Sequence, residues 1–160
     1  MDKLQNPYAA YPEYNCFGCS PKNPIGLKME FFEEGEEIVS VWDPSDLYQG
    51  FFDVLHGGIQ ATMMDEIASM VVFMKLDTGG VTYNMNTVYR KPVNISRGSV
   101  TIRARLLEHK RRLAIIEVQL FDGDGAKCSE GKVTYFVFPR DKAEKELRFP
   151  GKHAFYEKKI

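Results

Sequence analysis

Two adjacent carboxylates, Asp65 and Glu66, sit in the middle of a stretch that should tolerate neither. The stretch is His56-Gly57-Gly58-Ile59-Gln60-Ala61-Thr62-Met63-Met64-Asp65-Glu66, and it runs on through Ile67 to Met74. From Ile59 to Met74 the residues predict a helix apolar on nearly every side, the pattern of a helix enclosed by protein. A buried, unpaired charge is costly, so such groups are paired, protonated or functional. Neighbours in a helix lie about 100° apart around its axis, so Asp65 and Glu66 cannot share one route to water. Upstream, Gly57 and Gly58 open the helix, where free N–H groups and the positive end of the dipole favour developing negative charge. A carboxylate that activates water and a helix start that holds an oxyanion are the parts of a hydrolytic site.

Their spacing sets a condition. Gly58 and Asp65 lie on one face but about 10 Å apart along the axis, whereas a reacting centre needs base and oxyanion donor each within about 3 Å. Two such helices packed antiparallel about a two-fold axis satisfy this, because each start then lies beside the other's middle. The expectation is a homodimer, with a dimer of dimers as an extension, and two equivalent shared sites.

The surrounding chain predicts what holds the helix. Gly26–Phe31 alternates with period two and is expected to be the first strand, Glu33–Glu36 its turn, and Ile38–Trp42 the returning strand. Asp43–Leu55 is a loop. The helix runs from about Gly57 to Leu76 and is closed by Asp77-Thr78-Gly79-Gly80. Four more strands are expected at Val81–Tyr89, Ser99–Glu108, Leu113–Asp122 and Ala126–Pro139, with a strong hairpin signal at Asp122-Gly123-Asp124-Gly125. One helix and six strands imply an α+β fold, a curved antiparallel sheet wrapped around one long central helix. Residues 1–25 are expected to form an irregular arm, 26–139 the domain, and 140–160 a charged tail that packs loosely or protrudes.

Bulk properties narrow the class. The 160 residues suit one domain, with 44% hydrophobic and 27% charged residues and a formal net charge of −1. That balance argues against nucleic acid as a partner. The N-terminus lacks a signal-peptide core and no apolar run reaches about 18 residues, so no membrane partner is expected. Three cysteines do not suggest a disulfide framework, and a cytoplasmic protein is expected. Cys16 and Cys19 form one C-x-x-C. A zinc site needs two more ligands, and none stands near them in the chain, so no metal is expected. Small residues in an arm that docks on the sheet are the plainer reading, and Cys128 is read as packing.

At these residues the chain resembles the hotdog-fold acyl-CoA thioesterases, in particular the PaaI/4HBT-like branch. The resemblance is carried by His56-Gly57-Gly58 with Asp65 nine positions after the histidine. Asn15-Cys16-Phe17-Gly18-Cys19 through Asn23-Pro24-Ile25-Gly26-Leu27, Tyr48-Gln49-Gly50 and Tyr89-Arg90-Lys91-Pro92 add to it, and the likeness spans roughly residues 15–138. It implies a hotdog fold and hydrolysis of acyl-CoA or acyl-carrier thioesters, with coenzyme A present only as part of the substrate and no other cofactor. It implies Asp65 as general base or nucleophile, the Gly58 N–H as oxyanion donor, Gln49 as an amide near the carbonyl or water, and Thr82 as an orienting hydroxyl. His56 would fix the helix start and line the site beside Gly57. Glu66 is either a second acid/base group or a hydrogen-bonding partner. Met63, Met64, Ile67 and Phe73 would line the acyl pocket. Arg90, Lys91, Arg97, Lys110, Arg111 and Arg112 are either a solvated edge or an anchor for coenzyme A phosphates. Two rivals stay open: a hotdog hydratase or dehydratase using His56 and Glu66, and a non-catalytic acyl-CoA binding protein.

Overall fold

The computed structural model describes residues 1–158. Seven strands form one antiparallel sheet: β1 (Asp2–Leu4), β2 (Phe31–Glu34), β3 (Glu37–Trp42), β4 (Gly80–Tyr89), β5 (Val100–Lys110), β6 (Leu113–Phe121) and β7 (Lys127–Val137). Their order across the sheet is β1-β2-β3-β5-β6-β7-β4. Helix α1 (Gly57–Leu76) lies in the concave face, and a short helix α2 (Arg140–Glu146) follows β7. This is the hotdog arrangement of a curved sheet around one long helix.

The alternation of β6 explains the core. Ala114, Ile116, Val118 and Leu120 turn inward and are buried, as are Val100, Ile102 and Ala104 on β5. They meet Met63, Met64, Ile67, Ala68, Val71 and Val72 of α1, all buried, so the helix is enclosed along most of its circumference. Register shifts at Thr82/Asn84, Leu106/Glu108 and Leu120/Phe121 bend the sheet around it. No helix is long and apolar enough to cross a membrane.

Three expectations are corrected. The first predicted strand, Gly26–Phe31, joins the sheet only at Phe31. Leu27 and Met29 do face inward, but their N–H groups bond Phe17 O (2.8 Å) and Gly18 O (2.9 Å) of the arm. Trp42 Nε1 holds Leu27 O at 2.7 Å and Ser40 Oγ holds Glu30 O at 2.7 Å. Side chains thus satisfy groups that a ladder would otherwise pair. The arm is also not wholly irregular, because its first residues form β1, with Asp2 opposite Glu33. Finally, the tail neither protrudes nor packs loosely. Phe149 and Phe155 are buried, Phe149 stacks on Phe73 at 5.3 Å, and Gln5 Nε2 bonds Ala154 O and Tyr156 O, both at 2.9 Å. Aromatic residues spaced through a charged sequence dock it, while the charges stay in water.

Candidate active site

Helix α1 starts at a built cap. His56 is its N-cap, and His56 Nδ1 accepts the Gly58 N–H at 2.9 Å. Tyr89, at the end of β4, donates its hydroxyl to Gly57 O at 2.6 Å. Gln60, buried in the first turn, donates to Leu55 O at 3.2 Å and accepts from Ser129 Oγ at 2.8 Å, which ties the helix start to β7. Gln49 is exposed beside this start, in a bridge with Leu55. Gln49, His56, Gly57 and Gly58 therefore form one group.

The expected oxyanion donor needs correcting within that group. Gly58 N–H is already engaged by His56, because a histidine N-cap reaches the second residue of the helix. Gly57 N–H makes no hydrogen bond among the described residues and is the free donor at the helix start.

A second group lies two turns on, about 12 Å along the axis from Gly57. Asp65 is half-buried, and its Oδ1 accepts from Thr82 Oγ1 at 2.7 Å and from Tyr135 OH at 3.2 Å. Tyr135 OH also lies 3.1 Å from Asp65 O, so one phenol clamps both the side chain and the backbone. Burial pushes the Tyr135 phenol upward, with the Asp65 charge adding to it, so the hydroxyl stays protonated and remains a donor. Two donors on one oxygen leave Oδ2 without a hydrogen bond among the described residues. Tyr135 was not legible in advance; its register opposite Thr82 is the signal that finds it.

Glu66 points elsewhere, toward the arm. Its carboxylate oxygens lie 3.4 and 3.5 Å from Cys16 Sγ. Burial, with the neighbouring Cys16 adding to it, pushes its carboxyl up to about 8. It sits on the wall of a cavity of about 580 Å³ together with Tyr14, Cys16, Cys19, Met70 and Phe73. Met63, Met64 and Ile67, expected to line an acyl pocket, are instead fully buried against the sheet. An all-round apolar helix does not reveal which apolar side chains face a cavity.

The basic residues separate into two sets. Arg90 pairs with Glu130 at 2.8 Å, and Lys91 stands 3.6 Å from Asp122, so both are matched by carboxylates. Arg97 pairs with Asp124 at 2.6 Å. Arg111 and Arg112, in the β5–β6 turn, make no ion pair among the described residues. They adjoin Leu113, which is in register with Phe136, the neighbour of Tyr135. The unpaired cations are thus at the Asp65 end of the sheet, and the paired Arg90 and Lys91 are at the helix-start end.

Against known proteins, the family model described as Thioesterase superfamily (4HBT) matches residues 52–129, which hold His56, Gly57, Gly58, Asp65 and Thr82 but neither Gln49 nor Tyr135. Over that stretch, just under half of its length, the chain is similar to the thioesterase superfamily. Acyl-coenzyme A thioesterase 13 of Mus musculus is 30% identical over 87 residues, covering 53% of this chain and 61% of that relative. Among solved structures of the superfamily, mouse thioesterase superfamily member 2 aligns at TM-score 0.60 and 26% identity, over 68% of this chain and 82% of that one. A Streptococcus pneumoniae protein described as a hypothetical thioesterase with coenzyme A aligns at TM-score 0.64 and 21% identity, over 70% and 87%. The polar groups that set this protein apart lie on α1, β4 and β7.

Proposed function

We propose that the protein hydrolyses acyl thioesters, with acyl-CoA as the substrate, at sites shared between two copies of the chain. The observation that carries this reading is Asp65, half-buried in mid-helix, with one oxygen held by Thr82 and Tyr135 and the other without a partner. Such a carboxylate is oriented to take a proton from water or to attack a carbonyl itself. The oxyanion would be held by Gly57 N–H at the start of the partner's helix, where one donor is worth about 10²–10³ in rate. Gln49 and His56 flank that start, and Arg111 and Arg112 stand at the Asp65 end, available for the phosphates of coenzyme A. The named activity of the mouse relative and the coenzyme A in the pneumococcal structure support this substrate class. Three cysteines without disulfides fit a reducing, cytoplasmic setting.

The hydratase alternative loses support, because both of its groups are engaged elsewhere: His56 Nδ1 accepts the Gly58 N–H, and Glu66 accepts from the Cys16 thiol of the arm. The test is thiol release from short, long and aromatic acyl-CoAs by the wild type and by Asp65→Asn. Release by the wild type that falls at least about 100-fold in the mutant is expected. Equal release by both would assign the chemistry to another group. No release by folded wild type would leave the non-catalytic binding reading.

A further inference from the structure

Cys16 and Cys19 meet Glu66 in a cluster that the hydrolytic reading does not use. Their donor atoms and a Glu66 carboxylate oxygen all lie within 4.8 Å of one another. The Cys16 thiol donates toward the two Glu66 oxygens. Asn6 Nδ2 stands 3.6 Å from Cys19 Sγ, and the Tyr14 hydroxyl 3.0 Å from it. Gly18 is required by this packing: a Cβ there would lie 2.5 Å from the Glu66 carboxyl carbon and from Oε2. The turn closes on the carboxylate because nothing projects from it.

The cluster has an electrostatic gap. Three groups that ionise to anions are packed together, each half-buried, and Glu66 has no Lys, Arg or His partner among the described residues. Packed together, such groups keep their protons unless a cation lies among them and displaces them. The spacing fits one. With metal–sulfur bonds of about 2.3 Å and metal–oxygen bonds of about 2.1 Å at tetrahedral angles, sulfur and oxygen should be about 3.6 Å apart. Cys16 Sγ and the two Glu66 oxygens are 3.4 and 3.5 Å apart.

We propose that Cys16, Cys19 and Glu66 form a binding site for a divalent cation of the zinc class, two thiolates coming from the arm and one carboxylate from α1. Thiolates select zinc over magnesium or calcium, which prefer all-oxygen donors. The three protein ligands leave a fourth position, and all three residues line the 580 Å³ cavity, so water or a soft donor within that cavity completes the tetrahedron. The cation ties the arm to α1 one residue from Asp65. It accounts for a carboxylate placed inside an apolar helix, and it does not depend on the thioesterase reading. The sequence exposes only the two thiols; the fold supplies the third ligand.

The test uses the full chain, reduced, stripped with a chelator and titrated with Zn²⁺ against a chromophoric competitor, with Co²⁺ as a spectroscopic probe. The expected result is one ion per chain, with thiolate-to-cobalt charge-transfer absorption and intense visible bands of a tetrahedral site. Cys16→Ser and Cys19→Ser should weaken binding at least about 100-fold and Glu66→Gln at least about 10-fold, while Cys128→Ser changes nothing. If the variants fail to fold, alkylation of the wild type reads the same site, since Zn²⁺ should protect Cys16 and Cys19. Substoichiometric Zn²⁺ binding, unchanged binding by Cys16→Ser, or alkylation of Cys16 and Cys19 unaffected by Zn²⁺ would each overturn the proposal. So would a Cys16–Cys19 disulfide that persists in the reduced protein.

Discussion

Asp65 and Glu66 are adjacent, yet the fold gives them different chemistry. Asp65 faces β4 and β7, where two hydroxyls orient it; Glu66 faces two sulfurs and a cavity. The Asp65 contacts predict a division of labour. Thr82→Val removes the shorter hydrogen bond and should lower kcat about 10-fold with little change in KM, since it orients the carboxylate without holding substrate. Tyr135→Phe should also cost stability, about 1 kcal/mol, because it removes the hydroxyl that meets Asp65 O and Oδ1. Steady-state kinetics and thermal melts on the two variants separate these effects. A different carboxylate contributes to acid stability. Burial raises the Glu33 carboxyl, but Lys75 Nζ and Tyr156 OH, each at 2.8 Å, outweigh it, so its folded value lies below the usual one. A depressed folded value stabilises above the unfolded value of about 4.3 and is lost as pH falls through the folded one. Glu33→Gln should therefore lower stability by about 1 kcal/mol or less at pH 7, and the difference from wild type should vanish at lower pH. Melting curves across that window measure it.

At the scale of elements, the tail is part of the core's outer wall. Asp77 closes α1 with a left-handed backbone, φ 51°, and the tail holds it there: Arg140 Nη1 meets Asp77 Oδ2 at 2.5 Å, and Lys152 N–H meets Oδ1 at 2.8 Å. Phe149 fills the space beside Phe73 and Phe155. Phe149→Ala should cost about 3–5 kcal/mol, read from denaturant midpoints. Were the tail a loose appendage, the change would be near zero. The tail's apolar spacing was visible in the sequence. Its docking was not, because seven residues of α2 and two phenylalanines have no period that identifies their partner surface.

For the whole molecule, the unfinished feature is β4. It pairs with β7 on one side only, and Tyr83 is 68% exposed on it, alongside Val81, Val88 and Tyr89. An apolar, unpaired edge invites another strand. Phe51 and Phe52, 83% and 93% exposed, stand in the loop before α1 and extend the apolar surface toward the helix start. Pairing β4 with its copy about a two-fold axis would run the strands antiparallel, and the helices behind them with it. The Asp65 end of one chain would then meet the Gly57 end of the other. Tyr83→Glu should shift the dimer toward monomer in sedimentation and lower thiol release in parallel. A monomer that keeps full activity would place a complete site within one chain.

Sequence alone determined the central helix, because a run apolar on all sides has to be surrounded, and it determined most of the sheet, because period-two alternation selects a face. It also singled out Asp65 and the glycine helix start, since a mid-helix charge and a Gly-Gly opening are local anomalies. Tertiary structure decided which glycine N–H is free, because the His56 side chain chooses its own partner. It decided that Tyr135 serves Asp65 and that Met63 and Met64 belong to the core, since both follow from strand register and from how far the sheet curls. It alone brought Cys16 and Cys19 to Glu66, because side chains distant in the chain become neighbours only once the arm folds back onto the helix.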